Sequence, residues 1–347
     1  MTLMLRIAVV GATGAVGTEL LGLLAASSLP IECVVPVASP RSAGRLLPCS
    51  LVKDPVISLD ALDFAGIDVA FLTAGAEVSR QVAEKAAHAG CLVIDNSSAF
   101  RVREDVPLSV PQVNPEVLRR RPQSGIVANP NCSTIQMVRA LAPLHAAAGL
   151  RQVTVATYQA ASGGGLRGLA ELAGDSAAVL ADQSAPLSPG RFGLPLGFDL
   201  VPQIGDLDSA GSSHEERKLR HETRRILSLP DLPVAATAVR VGVFHCHSEA
   251  VYARFAEPLD AGKAEDALAA TPGLRLYRAA AEPSFPTPRG VGLSDAHRQD
   301  VHVGRVRVDA DDSRAVWLWV VADNLWVGAA LNARQILEIA VANGWWR

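Results

Sequence analysis

Within its first twenty residues the chain passes from an apolar segment at 6–10 through Gly11-Ala-Thr-Gly14-Ala-Val-Gly17 into an amphipathic stretch that reaches Leu24. That order reads as strand, glycine turn, helix. Glycines let a backbone turn tightly and approach a pyrophosphate, and a helix N-terminus offers unpaired N–H groups and the positive end of its dipole. The spacing is G-x-x-G-x-x-G rather than G-x-G-x-x-G, so an ordinary βα turn is the bland alternative; the strand–turn–helix context favours a dinucleotide site. Further strands at 31–38, 68–72 and 91–95, with a helix at about 78–89, continue the alternation. Strands alternating with helices predict a parallel sheet covered on both faces.

The end of the second strand bears on which dinucleotide fits. An NAD site usually places an acid there to bond the ribose 2′-OH. Here the strand ends Val37-Ala38-Ser39, and Arg41 and Ser42 follow. A guanidinium suits a 2′-phosphate; a solvated loop arginine is the alternative.

The pattern changes at Cys132. A helix is expected at 133–147, then strands at 152–158, 235–255, 303–309 and 315–322, the last two joined by an Asp-rich turn as a hairpin. Long strands with few helices between them predict an α+β domain on an antiparallel or mixed sheet. The Gly-, Pro- and Ser-rich stretch 182–213 reads as irregular, and 325–346 as a closing helix. A length of 347 residues suits two domains. Hydrophobic residues at 49% and charged residues at 19% supply a core and argue against disorder. The net charge of −3 leaves no basic footprint for nucleic acid. No apolar run approaches the roughly 18 residues of a membrane span, and the start MTLMLRIAVVG lacks a signal-peptide pattern. Five cysteines without paired spacing suit a reducing cytoplasm.

One cysteine stands apart. Asn129-Pro-Asn131-Cys132-Ser-Thr134 opens the helix at the change of pattern. A thiol at a helix N-terminus is favoured as thiolate by the dipole and free N–H groups; a buried, inert cysteine is the common alternative. A thiolate nucleophile usually works with a base, and Arg240-Val-Gly-Val-Phe-His245-Cys246-His247-Ser248-Glu249 carries two of the eight histidines. If this segment is one strand, Cys246 faces away from His245 and His247. His-Cys-His alone is too small a cluster to predict a metal site.

GATGAVG at 11–17, ASPRSAG at 38–44, IDNSSAFR at 94–101, VPQVNPE at 110–116, ANPNCST at 128–134, TYQAASGGG at 157–165, EERK at 215–218, RVGVFHCHSEA at 240–250 and ADNLWVGAALNA at 322–333 follow the order found in aspartate-semialdehyde dehydrogenases. The chain resembles that family over nearly its whole length. The resemblance implies a Rossmann-type NADP-binding domain, residues 1–131 completed by a C-terminal helix at 325–347, and a mixed-sheet catalytic and dimerisation domain at 132–324, an α/β plus α+β architecture. It implies that Cys132 is the acyl-thioester nucleophile and His247 the general acid/base. Gln159 and Asn131 would orient substrate, Arg240 would grip its α-carboxylate, Glu215 would meet its amino group, and Arg101 with Lys218 would bind phosphate. Gly11, Thr13, Gly14, Ala15, Val16, Arg41, Ser42, Ser162, Gly163 and Asn324 match cofactor contacts. One departure is visible: Trp326-Val327 stand where the family usually has Arg-Lys after Asp-Asn-Leu.

The implied reaction is metal-free reductive dephosphorylation of L-4-aspartyl phosphate to L-aspartate 4-semialdehyde by a cytoplasmic homodimer. Such a step serves lysine, diaminopimelate, threonine, methionine and isoleucine biosynthesis. The alternatives are another acyl-phosphate reductase, such as the N-acetyl-glutamyl-phosphate enzyme, which is not expected to carry this EERK and RVGVFHCHSE combination, and a non-catalytic relative, expected to lack the cysteine or the histidine.

Overall fold

A computed structural model describes residues 4–184, 186–293 and 296–346. The expectations for residues 1–3, 185, 294–295 and 347 lie outside the described residues. The chain forms two compact units, Met1–Asn131 with Ala329–Arg347, and Cys132–Gly328.

The first unit runs β1 (Leu5–Val10), α1 (Ala15–Ala25), β2 (Ile31–Ala38), β3 (Ile57–Ser58), β4 (Val69–Leu72), α2 (Ala76–His88), β5 (Leu92–Asp95) and β6 (Ile126–Ala128). Its six strands pair in parallel in the order β3-β2-β1-β4-β5-β6. Every residue of Val-Ala-Phe-Leu in β4 and Leu-Val-Ile-Asp in β5 is buried, as a sheet covered on both faces requires. The strand order reverses between β1 and β4, and in such sheets ligands bind outside the carboxyl ends of the strands at that switch. The glycine turn leaves β1 at that point.

The second unit contains α3 (Cys132–Ala148), β7 (Leu150–Gln159), α4 (Gly165–Ala181), β8 (Leu200–Val201), α5 (His214–Ile226), β9 (Val234–Val241), β10 (His247–Phe255), α6 (Ala261–Ala269), β11 (Leu274–Tyr277), α7 (Pro288–Gly292), β12 (Val301–Val308) and β13 (Ala315–Ala322). Its mixed sheet runs β11-β12-β13-β10-β7-β9-β8. The β12–β13 hairpin is antiparallel, as the Asp-rich turn predicts. α3 packs on the sheet through β10, β7 and β13, and all its residues from Ser133 to Leu141 are buried.

Three expectations need correction. The segment 235–255 is two strands: β9 runs parallel to β7 and β10 antiparallel to it, so the chain must reverse between them. It does so with Cys246 at φ 70°. His245 is therefore exposed while Cys246 and His247 are both buried, against the alternation of a single strand. Helices are also more numerous than expected here. α5 was obscured by its charge, yet its buried Leu219, Thr223 and Ile226 recur at helical spacing, and Ser213 and Glu216 form a capping box. The closing helix is shorter: Trp326–Ala330 is a π-helical turn, and α8 (Leu331–Ala342) ends at Ala342. Residues 325–328 belong to the second unit. α8 packs on α1 and β5, and Asn343 Nδ2 donates to the Leu118 carbonyl at 2.8 Å.

Candidate active site

The first unit holds the glycine turn. Gly11 has φ 95°, and a Cβ there would lie 2.6 Å from Thr73 Oγ1. A Cβ at Gly17 would meet the Gly11 carbonyl at 2.1 Å, so the helix can start this close to the turn only with glycine. Gly14 caps α1 and no side chain bonds the first turn, which leaves its N–H groups for an anion. Ala15 and Val16 open the helix. Thr13 Oγ1 lies 3.4 Å from Ser42 Oγ, tying the turn to the end of β2, and Arg41 is exposed beside Ser42. These residues fit a dinucleotide: a cradle that side chains would fill, an uncapped helix start, and a cation where an acid would select the 2′-OH.

Arg101 and Asn131 belong to the same unit, and both are buried. Asp95 accepts from Ser79 Oγ at 2.6 Å and Ser97 Oγ at 2.8 Å, which folds the IDNSSAFR loop. The loop delivers Arg101, whose Nε donates to the Asn129 carbonyl at 2.9 Å and Nη2 to the Asn96 carbonyl at 2.9 Å.

The second unit gathers the remaining expected residues at one end of the strands in the middle of its sheet. Cys132 is the first residue of α3 and is partly exposed. His247 opens β10 with no exposed surface. The Ala160 N–H donates to His247 Nδ1 at 3.0 Å, so the neutral ring carries its proton on Nε2, which is buried with no partner among the described residues. Burial first, then the Arg240 charge, push the imidazole down to about 3, with Glu215 pulling the other way.

Arg240 is buried near the end of β9. Its Nη1 donates to the Ala160 carbonyl at 2.7 Å, and its guanidinium carbon lies 5.2 Å from the centre of the Phe192 ring. Its Nε has no partner among the described residues. Burial disfavours its charge, which Glu215 and Cys132 favour. Gln159 Nε2 bonds Glu215 Oε1 at 3.1 Å, and Glu215 Oε2 pairs with Lys218. The EERK segment thus divides its work. Glu215 and Lys218, three residues apart, share one face of α5. Glu216 completes the cap of α5 and accepts the Ala238 N–H at 3.0 Å, docking the helix on β9. Arg217 pairs with Asp208.

Ser162 Oγ donates to Asn324 Oδ1 at 2.9 Å, and the Cys246 N–H donates to the same oxygen at 3.1 Å. A Cβ on Gly163 would lie 2.7 Å from Arg240 Nη1 and 3.3 Å from His247 Cε1, so a bare backbone passes against both side chains. Cys246 packs with Val291, Val321 and Trp319, and burial drives its thiol well above the usual range. It is an apolar filler rather than a second thiolate. Among the described residues no group of three or more His, Cys, Asp or Glu is placed to hold a metal ion, and no helix is long and apolar enough to cross a membrane.

Several neighbours of this constellation carried no sequence signal. Phe192 lies in the irregular stretch, and the Ala160 amide is a backbone group. Gly328 is different: a Cβ there would be 2.4 Å from Cys132 Cβ, and the glycine inside ADNLWVG was the available clue.

Residues 6–121 match the semialdehyde dehydrogenase NAD-binding domain, and residues 141–327 the semialdehyde dehydrogenase dimerisation domain. An aspartate-semialdehyde dehydrogenase from Synechocystis sp. is 40% identical over 98% of each chain. The chain belongs to the aspartate-semialdehyde dehydrogenase family. A family member of known structure, aspartate semialdehyde dehydrogenase II from Vibrio cholerae in complex with ASA, is 40% identical and covers 99% of this chain and 100% of its own, with a TM-score of 0.93. The family's enzyme from Candida albicans, solved with NADP, is 26% identical with a TM-score of 0.76, over 98% of this chain and 99% of that one. The chain is accordingly an oxidoreductase of amino-acid biosynthesis acting on an aldehyde or acyl phosphate, with a nicotinamide-dinucleotide domain.

Proposed function

We propose that this chain is an NADP-dependent, phosphorylating aspartate-semialdehyde dehydrogenase working through a thioester on Cys132. The observation that carries the reading is the meeting, in one unit, of a thiol at a helix N-terminus with a neutral histidine whose Nε2–H is buried and unpartnered, a buried arginine, and a Gln159–Glu215–Lys218 chain.

In the biosynthetic direction the Cys132 thiolate attacks the acyl carbon of L-4-aspartyl phosphate, the Sγ–C bond forms, and phosphate leaves. Arg101 and Lys218 hold the phosphate. Arg240 binds the α-carboxylate through its guanidinium edge, Glu215 meets the α-amino group, and Asn131 and Gln159 orient the acyl group. Gly11, Thr13 to Val16, Arg41, Ser42, Ser162, Gly163 and Asn324 are assigned to NADP, with Arg41 on the 2′-phosphate. The cofactor supplies hydride. His247, entering with its proton on Nε2, donates to the oxygen of the tetrahedral carbon. Collapse of the thiohemiacetal restores the C=O bond as the oxygen's proton returns to His247, breaks the Sγ–C bond, and releases L-aspartate 4-semialdehyde with return of the thiolate. No metal is required. The semialdehyde then serves lysine, diaminopimelate, threonine, methionine and isoleucine biosynthesis in a reducing cytoplasm, which suits five free cysteines.

The chain is further read as a homodimer. The sheet face opposite α3 carries Tyr158, Tyr252, Trp317 and Trp319, and a groove of about 400 Å³ opens between Phe285, Pro286, Arg305 and the two tryptophans. The match to a dimerisation domain over 141–327 supports a second copy as its occupant.

Turnover in the reverse direction tests the reading. The chain is expected to reduce NADP with L-aspartate 4-semialdehyde only when phosphate is present, and to use NAD poorly. Cys132→Ser replaces an ionisable thiol, a group whose pKa is about 8.5 in a free cysteine, with a scarcely ionised hydroxyl, and should fold, bind NADP and turn over at under about a tenth of the wild-type rate. Phosphate-independent turnover, use of N-acetyl-glutamate semialdehyde instead, or a fully active C132S would overturn it.

A further inference from the structure

The nucleophile's helix is pressed by a turn whose geometry is held from a distance. Trp326–Ala330 is a π-helical turn, a rare form that occurs mostly as single turns and often at functional sites, and here it has side-chain support. Asp323, almost fully buried, supplies it: Oδ1 accepts from the Leu325 N–H at 2.9 Å and the Trp326 N–H at 3.1 Å, and the Asp323 carbonyl accepts from the Gly328 N–H at 3.3 Å. Arg298 grips both parts of this cap. Its Nε donates to Asp323 Oδ2 at 2.8 Å, and its guanidinium carbon lies 4.4 Å from the centre of the Trp326 ring. A planar guanidinium makes an ion pair and a stack at once, which a point charge does less well.

The turn delivers Gly328 onto the nucleophile. A Cβ at 328 would lie 2.4 Å from Cys132 Cβ and 2.9 Å from its Cα, so the backbone of the turn is the wall against which Cys132 rests. Asn324, next to Asp323, fixes the other side, since its Oδ1 accepts from the Cys246 N–H just before His247. The Asp323-Asn324 corner thereby holds both the turn that packs on Cys132 and the amide next to His247. A packed wall transmits displacement, and an error of about 1 Å at a reacting atom costs on the order of a hundredfold in rate.

We infer that Arg298 is a positioning residue for Cys132, acting through the Asp323-capped π-turn and Gly328. Trp326 is the platform that makes the grip bidirectional, which gives the Trp326 departure from the family's usual arginine a physical use. The inference rests on Cys132 being the nucleophile.

The test is Arg298→Gln, Arg298→Lys and Gly328→Ala, each in the full chain well below its Tm, with kcat, both Michaelis constants and the iodoacetamide alkylation rate of the Cys132 peptide read by mass spectrometry. Peptide resolution matters because Cys33 and Cys49 are also partly exposed. R298Q is expected to lower kcat roughly tenfold to a hundredfold and to change the Cys132 alkylation rate, with both Michaelis constants within about twofold. R298K, keeping the charge, recovers part of both. G328A, which pushes on Cys132 directly, gives a larger loss of kcat. A purely structural arginine would lower Tm and leave kcat and alkylation alone; that result in a folded R298Q overturns the proposal. Should R298Q not fold, Trp326→Leu removes only the platform, and an unchanged kcat and alkylation rate there overturns it equally. Failure of the underlying reading looks different: C132S would keep wild-type turnover whatever Arg298 does.

Discussion

The ring of His247 is fixed before any substrate arrives. The Ala160 amide occupies Nδ1, and Gly163 leaves room for the Cε1 edge. The sequence pointed to this histidine through its motif, but neither its tautomer nor its charge was legible there. Those come from a backbone amide and from complete burial, which depend on how β7 and β10 pair. The charge state has a measurable consequence. In the folded chain the ring stays neutral down to about 3, whereas an unfolded histidine binds a proton below about 6.5. Between those values the unfolded chain holds more protons, so stability is present above pH 6.5 and is lost as pH falls through the window. His247→Gln removes this titration. The Tm of H247Q minus that of wild type is expected to become more positive as pH falls from about 7.5 to 4.5. A difference that does not vary with pH would mean the ring is not held neutral by burial.

Two residues along β10 the same element carries the opposite case. Glu249 shares the inward face with His247 and lies between Thr157 of β7 and Val320 of β13. It has no exposed surface, and neither carboxyl oxygen has a hydrogen-bond partner among the described residues. Burial holds its carboxyl well above the ordinary range, with the Gln136 amide acting the other way. The other titratable or charged side chains on this face of β10 and on α3 are His247, Cys132, Arg139 and, in the last turn of α3, His145. The folded pKa is raised, so the stabilising term is full below the unfolded value of about 4.3 and lost as pH rises, on the order of 1.4 kcal/mol per unit while the acid stays neutral. Glu249→Gln keeps the shape without the titration. Its Tm advantage over wild type should grow from about pH 5 to pH 8; a constant or shrinking advantage would show an ionised Glu249. The element scale also marks where the sequence was readable. β2 and β13 are bounded by polar and turn residues, and their expected ends hold to the residue. The break at 242–246 was hidden because Val241, Val243 and Phe244 extend the apolar run, and only the sheet order demands a reversal. α5 was hidden because its apolar positions sit among charges, although its capping box was in plain view.

At the scale of the whole molecule, the fold class was legible because period and glycine placement act locally, whereas the outer surface of the seven-stranded sheet was not, because it is assembled from four strands far apart in sequence. Register sets Ala250 between Ala156 and Trp319, and Tyr252 opposite Trp317. The Tyr158–Trp319 and Tyr252–Trp317 ring centres are 5.6 and 5.1 Å apart. Tyr158 stays 37% exposed and Phe285 44%, large apolar area for a monomer to leave in water. If a second copy covers this face about a twofold axis, each substitution enters the interface twice. Ala250 lines the groove and is partly exposed, so Ala250→Glu adds a charge to the centre of the face without removing a core side chain. Sedimentation at micromolar concentration is expected to show a wild-type dimer and an A250E dissociation constant raised by roughly a hundredfold or more, about 3 kcal/mol shared between two buried charges. Thermal unfolding of A250E at low concentration should match wild type diluted below its own dissociation constant, which separates loss of the partner from loss of the fold. A wild-type monomer at that concentration, or an A250E dimer as tight as wild type, would take the second copy off this face.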